Sequence, residues 1–142
     1  MRTVPFPIVM VDDDADDRLM VRRSMEDTEL PGPFLEFKDG DAFLAYLESP
    51  EGADEHGRPG LVLLDLNMPR LDGWEVLRRM KLSERWRSIP VVVLTTSDRD
   101  TDVMSSYKFG ACSFITKPAS YAELAAKFGT IATYWFDVAT LP

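Results

Sequence analysis

The chain has 142 residues, 45% hydrophobic and 28% charged, which is the size and balance of one compact domain with little room for a second. A formal net charge of -8 excludes nucleic acid as the principal partner, because phosphate backbones require Lys/Arg patches, and it fits a protein that docks on other proteins. No apolar run approaches the roughly 20 residues of a membrane helix, and Met1 to Pro7 lacks a signal-peptide core, so a cytoplasmic protein with no membrane contact is expected.

The first apolar run, Ile8 to Val11, is short and β-branched and is followed at once by "DDDADDR". A helix is expected from about Ala15 to Asp27, burying Met20, Val21 and Met25. Phe34 to Phe37 reads as a second strand, and about Gly40 to Leu47 as a second helix with Phe43, Leu44 and Leu47 inward. The polar, breaker-rich "SPEGADEHGRP" of Ser49 to Pro59 reads as a surface loop.

Leu61 to Leu64 is the third strand, and a third helix after Asp72-Gly73 carries Trp74, Val76, Leu77 and Met80. The fourth strand is Val91 to Leu94, and a shorter helix from about Asp100 to Phe109 stops at Gly110. Cys112 is alone, which excludes an internal disulfide. With His56 as the sole imidazole, it is expected to be a buried, inert thiol. Ser113 to Thr116 is the fifth strand.

In the last segment Tyr121, Leu124, Phe128, Ile131, Trp135 and Val138 recur at spacings of 3, 4, 3, 4 and 3, with Tyr134 and Phe136 beside them. Such a stripe packs a helix, spanning about residues 119–139, on the sheet. It also exceeds what one sheet face needs, which makes Tyr121, Leu124, Phe128, Ile131 and Trp135 candidates for a homodimer surface.

The alternation of strands and helices predicts an α/β fold: a doubly wound, five-stranded parallel sheet of order 2-1-3-4-5 with five flanking helices, flavodoxin-like, forming a single domain over 1–142 with its core at about 5–127. In such sheets ligands bind at the carboxyl ends of the strands where the strand order reverses, here between the first and third strands. Asp12 and Asp13 end the first strand and Asp65 the third, so three carboxylates converge; Thr95 ends the fourth, and the fifth leads into Lys117-Pro118.

Three such carboxylates repel and demand a cation. Oxygen ligands without His or Cys suit Mg²⁺, with Asp13 and Asp65 as direct ligands, the main-chain carbonyl of Asn67 as a third and Asp12 acting through water. Lys117 and the Thr95 hydroxyl are placed to hold phosphoryl oxygens, so the site is suited to a phosphoryl group on Asp65. Asp14, Asp16 and Asp17 are accounted for as a helix start, where carboxylates complement the dipole and cap amides.

These residues carry a resemblance. Asp12-Asp13, Asp65 within "LVLLDLNMPRLDG", "VVVLTTS" and "FITKP", with Thr95 standing 30 positions after Asp65 and Lys117 a further 22 on, resemble a response-regulator receiver domain from about Ile8 to Leu124. The resemblance implies that Asp65 accepts a phosphoryl group from the phosphohistidine of a sensor kinase. It also implies that Asp12 and Asp13 serve Mg²⁺, that Thr95 and Lys117 contact the phosphoryl group, that Phe114 occupies the switch aromatic position and that Lys117-Pro118 is cis.

Over the whole length, "VVVLTTSDRDTDV", "SYKFGACSFITKP" and "IATYWFDVATLP" resemble the small stand-alone regulators paired with bacterial phytochromes. That implies a phytochrome-type kinase, an output through a separate protein, and a homodimer through the fourth helix, fifth strand and fifth helix. It implies no catalysis beyond the protein's own phosphorylation and dephosphorylation.

Two residues depart from the common pattern. Phe114 lacks a phenol hydroxyl, so a switch here works by packing, and Thr96 is bulkier than the usual small residue. Asn67 and Ser97, two places beyond Asp65 and Thr95, are positioned to tune water attack on an acyl phosphate. The alternative is an Asp-nucleophile, Mg²⁺-dependent phosphatase of haloacid-dehalogenase type, which normally carries an acid/base Asp where Asn67 stands. A flavin binder would require Ser/Thr/Gly donors where the aspartates lie.

Overall fold

The computed structural model describes residues 6–27 and 33–138. Five parallel strands, β1 (Ile8–Val11), β2 (Phe34–Phe37), β3 (Leu61–Leu64), β4 (Val91–Thr95) and β5 (Ser113–Thr116), form one sheet in the order β2-β1-β3-β4-β5. The helices are α1 (Ala15–Asp27), α2 (Gly40–Glu48), α3 (Pro50–Ala53), α4 (Gly73–Leu82), α5 (Asp100–Lys108) and α6 (Tyr121–Ala132), the last continued by a π-helical segment, Thr133–Val138. Fold class and strand order are as expected, with six helices among the described residues rather than five.

The sixth is α3, inside the stretch read as a loop. The Ser49 side chain accepts the Gly52 N–H, and Pro50 occupies the first turn, where its missing N–H is no loss. The Tyr46 hydroxyl donates to the Gly57 carbonyl at 2.6 Å and closes this excursion against α2. The Lys117-Pro118 bond is trans, contrary to what the resemblance implied.

Alternation along the strands divides the interior in two. Val9, Val11, Val62, Leu64, Val91 and Val93 face α2 and α4, meeting Phe43, Leu47, Val76, Leu77 and Met80. Ile8, Met10, Leu61, Leu63, Val92 and Leu94 face α1 and α6, meeting Val21, Met25, Leu124, Phe128 and Ile131. Met20 and Trp135 are partly buried against this second cluster. Both faces of the central strands are therefore apolar, and polar chemistry is confined to the strand ends.

The C-terminal stripe is mainly interior to a single chain. Leu124, Phe128 and Ile131 are buried, which corrects their assignment to a dimer surface, whereas Tyr121 and Tyr134 are exposed. The sheet's second face needs a full helical side to cover it, and α6 supplies that side. The side chains of Phe136 and Val138 lie outside the described residues. Cys112 is an exposed residue, not a buried one, although its thiol donates to the Val91 carbonyl at 3.1 Å. Burial of the sulfur still pushes its pKa up, which keeps it in the unreactive thiol form.

Gly73, the first residue of α4, couples fold to site. A Cβ there would lie 2.0 Å from the Asp65 carbonyl oxygen and 2.6 Å from the Leu66 Cα. The helix can begin this close to the β3 terminus only with glycine, and the Asp72 side chain caps it by accepting the Glu75 N–H at 3.0 Å. Gly73→Ala is expected to cost about 1–3 kcal/mol or more through overpacking, read as a lowered urea midpoint. Phe128→Ala is expected to cost about 3–5 kcal/mol, as truncation of a core aromatic does, measured the same way.

Candidate phosphoacceptor site

The register builds the site. Val11 of β1 pairs with Phe37 of β2 on one side and Leu64 of β3 on the other, so Asp12 and Asp65 leave neighbouring strands at the same level. The ladder continues through them: the Asp65 N–H donates to the Val11 carbonyl and the Asp12 N–H to the Phe37 carbonyl, both at 3.0 Å. On the far side Thr95 pairs with Thr116, and the Lys117 N–H donates to the Thr95 carbonyl at 2.7 Å. Backbone hydrogen bonds thus fix the points from which these functional side chains leave the sheet.

Carboxylate oxygens of Asp12, Asp13 and Asp65 lie within 4.8 Å of one another. Asp12 and Asp65 are buried and Asp13 is exposed, so the group opens to solvent on one side. At an effective dielectric constant near 20, two charges that far apart repel by about 3 kcal/mol. The opposing charge is Lys117, whose side chain is 8% exposed and whose Nζ stands 2.5 Å from Asp12 Oδ2, 2.7 Å from Asp17 Oδ2 and 3.5 Å from Asp65 Oδ2.

Two further contacts organise the acidic run. The Asp14 side chain accepts the N–H groups of Asp16 and Asp17 at 2.9 and 3.3 Å and starts α1. Arg18 donates to the Asp12 carbonyl at 2.6 Å and pairs with Glu36 at 3.4 Å, fastening the first turn of α1 to the sheet. Asp17 is therefore not merely part of a helix start, as its sequence position indicated. Its partner lies 100 residues away, across the loop after β5, and no local spacing signals it.

The remaining predicted residues fall around this cluster. Thr95 is fully buried, and its Oγ1 is the one buried side-chain oxygen without a hydrogen-bond partner among the described residues. An orphaned donor at a strand end is costly unless a ligand oxygen meets it. Asn67 is exposed, and its N–H donates to Asp65 Oδ1 at 3.3 Å. Thr96 is exposed beside Thr95, and the Ser97 hydroxyl is engaged by Asp102 at 2.5 Å.

Phe114 sits apart from the carboxylates. It is half-buried on β5 against the α2/α4 core, and its backbone N–H donates to the Tyr107 hydroxyl of α5 at 3.2 Å. Tyr107 is a contact the sequence reading missed, since a tyrosine seven positions before its partner on an edge strand carries no signature.

Charge follows burial. The Asp12 carboxyl is pushed up to about 6 from 3.8, first by burial and also by the Asp65 charge, against the opposing pull of Lys117 and the Asp14 N–H. Burial alone would push the Lys117 ammonium down, but hydrogen bonds to Asp12 and Asp17 and the charges of Asp12 and Asp65 outweigh it and hold the group above its ordinary range.

The donor set fits a hard divalent cation: three oxygen ligands, an excess of negative charge and an exposed side at Asp13. Asp12, Asp13 and Asp65 would hold it, and it would supply neutralisation of the carboxylates and of charge on an incoming anion.

A carboxyl held near 6 in the fold but near 3.8 outside binds its proton more tightly when folded. Its contribution is therefore present below pH 3.8 and is lost as pH rises through about 6. Asp12→Asn removes this burden, so without divalent ions its melting temperature relative to wild type should climb from pH 4 to pH 7.

The site's geometry agrees with what similar proteins show. A family model described as the response regulator receiver domain matches residues 8–128. The chain is 40% identical over 131 residues to the probable methanogenesis regulatory protein FilR2 of Methanothrix harundinacea, covering 92% of this chain and 84% of that protein. It is 34% identical over 138 residues to the response regulator Rcp1 of Synechocystis, covering 97% and 94%. The crystal structure of Mn²⁺-bound Rcp1 superposes with a TM-score of 0.87, covering 97% of this chain and 99% of that one. The phosphorylated cyanobacterial phytochrome response regulator RcpA superposes with a TM-score of 0.86 at 34% identity, covering 96% and 98%. These matches give no support to the phosphatase alternative; with the Asp12, Asp13, Asp65 and Lys117 cluster at the β1/β3 switch point, the chain belongs to the response regulator receiver family and is a two-component response regulator.

Proposed function

We propose that Asp65 is the phosphoacceptor of this regulator. The observation that carries the reading is the convergence of Asp12, Asp13, Asp65 and Lys117 beside the unpartnered Thr95 hydroxyl. A carboxylate oxygen of Asp65 attacks phosphorus, the P–N bond to the donor imidazole breaks, and its electron pair stays on that nitrogen, which regains a proton from solvent. The Lys117 ammonium and the Thr95 hydroxyl donate to the phosphoryl oxygens as charge gathers there. Mg²⁺ is the proposed cation, held by Asp13 and Asp65 with Asp12 behind them and the Asn67 carbonyl as a further ligand.

The donor is a sensor histidine kinase. Its phytochrome type is supported by likeness to RcpA, described as a phytochrome response regulator. The protein does not turn over an external substrate, and it acts in the cytoplasm; no helix among the described residues is long and apolar enough to cross a membrane. Thr95 and Phe114 carry the switch, and output passes to another protein or to a second copy across the α5, β5 and α6 face. Exposed Met104, Tyr107, Tyr121 and Tyr134 on these elements and the π-helical segment supply apolar area for a homodimer.

Incubation with acetyl phosphate and Mg²⁺ should add one phosphate to the intact mass, labile to base, and Asp65→Asn should abolish it. Equal labelling of Asp65→Asn would overturn the assignment. Lys117→Ala should slow labelling by about tenfold or more, the usual cost of one lost charge-assisted contact to a transferring group. Trp135→Ala is expected to reduce the apparent mass in light scattering at micromolar concentration; an unchanged monomeric mass in wild type and variant would remove the dimer.

A further inference from the structure

We propose that Asp17 is a positioning residue for phosphotransfer, the tether that holds the Lys117 ammonium off Asp65; this rests on reading Asp65 as the acceptor. Lys117 has three N–H bonds and three carboxylate neighbours, at 2.5 Å (Asp12), 2.7 Å (Asp17) and 3.5 Å (Asp65). Two contacts are close and the one to the acceptor is long. Asp12 belongs to the three-carboxylate group suited to a divalent ion, whereas Asp17 does not. Asp17 is the close partner whose hold on Lys117 does not compete with that ion.

The surroundings free Asp17 for this task and fix where it stands. Asp14, not Asp17, accepts the first free amides of α1. Arg18, the next residue, is fastened to the Asp12 carbonyl, so the turn carrying Asp17 cannot drift from the cluster. The Asp17 side chain is 19% exposed, so its pair with Lys117 is less screened by solvent than a bridge on the open surface.

A lysine side chain is long and flexible, and its ammonium settles on the nearest acceptors. With Asp17 in place, the Asp65 oxygen that faces Lys117 meets the ammonium only at the long distance of 3.5 Å and stays accessible for attack and for a cation. The ammonium still waits one short displacement from the phosphoryl oxygens that transfer delivers. Without Asp17, the freed N–H turns to Asp65 Oδ2, the remaining carboxylate in reach. The acceptor is then occupied by a close ion pair that must break before the reaction.

The test compares wild type, Asp17→Asn, Asp17→Glu and Asp16→Asn. Asp16 is exposed in the same turn and removes the same charge without touching Lys117. Three readings are taken: the rate of labelling by acetyl phosphate with saturating Mg²⁺, Mn²⁺ affinity from free ion counted by electron paramagnetic resonance, and the Lys117 Nζ resonance in ¹⁵N-lysine-labelled protein. Asp17→Asn should label on the order of tenfold more slowly, bind Mn²⁺ several-fold more weakly and shift the Lys117 resonance. Asp16→Asn should change none of these by more than about twofold, the scale of a screened surface charge.

Asp17→Glu restores the carboxylate and should recover most of the rate; if Asp17→Asn fails to fold, Asp17→Ser takes its place in all three readings with the same expected losses. Equal losses in Asp16→Asn and Asp17→Asn, or wild-type behaviour of Asp17→Asn in all three readings, overturn the tether and leave Asp65 as acceptor. Absence of labelling in wild type overturns the acceptor assignment, while the Mn²⁺ and resonance readings still judge the tether.

Discussion

One ammonium group, that of Lys117, stands against the carboxylates gathered at the carboxyl edge of the sheet. Side-chain charges so close together in a partly dry pocket repel by several kcal/mol, and the fold tolerates them because Lys117 reaches three of them at once. That reach depends on β5 lying beside β4 and on α1 beginning immediately after Asp12-Asp13. The rest of the site can be read as the means of keeping this charge balance incomplete, so that a cation and a phosphoryl group are welcome.

Backbone geometry supplies the precision that the side chains exploit. Asp12, Asp65 and Lys117 each lie one step past a paired strand position, where their own amides extend the ladder, and Thr95 is the last paired residue of β4. Strand ends of this kind are rigid because the apolar strands beneath are covered on both faces. Gly73 lets α4 start in contact with the Asp65 backbone, which ties that residue directly to the α2/α4 core. Precision and burial therefore share one cause, the in-register pairing of β1 with β3.

The site also has a mechanical connection to the surface. Thr95, Ser97 and Thr116 are linked through strand pairing and the hydrogen bond from the Thr116 hydroxyl to the Ser97 carbonyl at 3.2 Å. Ser97 in turn holds Asp102 in the first turn of α5. Near the other end of that helix, Tyr107 accepts the Phe114 amide of the edge strand. Thr95 is thus connected through the β4/β5 pair to both ends of α5, at the far end through the backbone amide of Phe114.

Much of this was legible before folding. Strand and helix segments, the sheet order and the convergence of Asp12, Asp13, Asp65, Thr95 and Lys117 follow from local periodicity, turn chemistry and the rule that ligands sit at a switch point. The α3 turn, the exposure of Cys112 and the assignment of Leu124, Phe128 and Ile131 to a dimer surface were misread, because each depends on how much of a neighbouring face an element covers. The pairings of Lys117 with Asp17 and of Tyr107 with Phe114 left no trace at all. The sequence by itself determined the kinds of groups and the strand ends on which they sit, since alternation and spacing are local properties. Only the tertiary structure decided which carboxylates share the lysine, because that contact joins residues 100 positions apart and exists only once α1 and β5 pack on the same sheet.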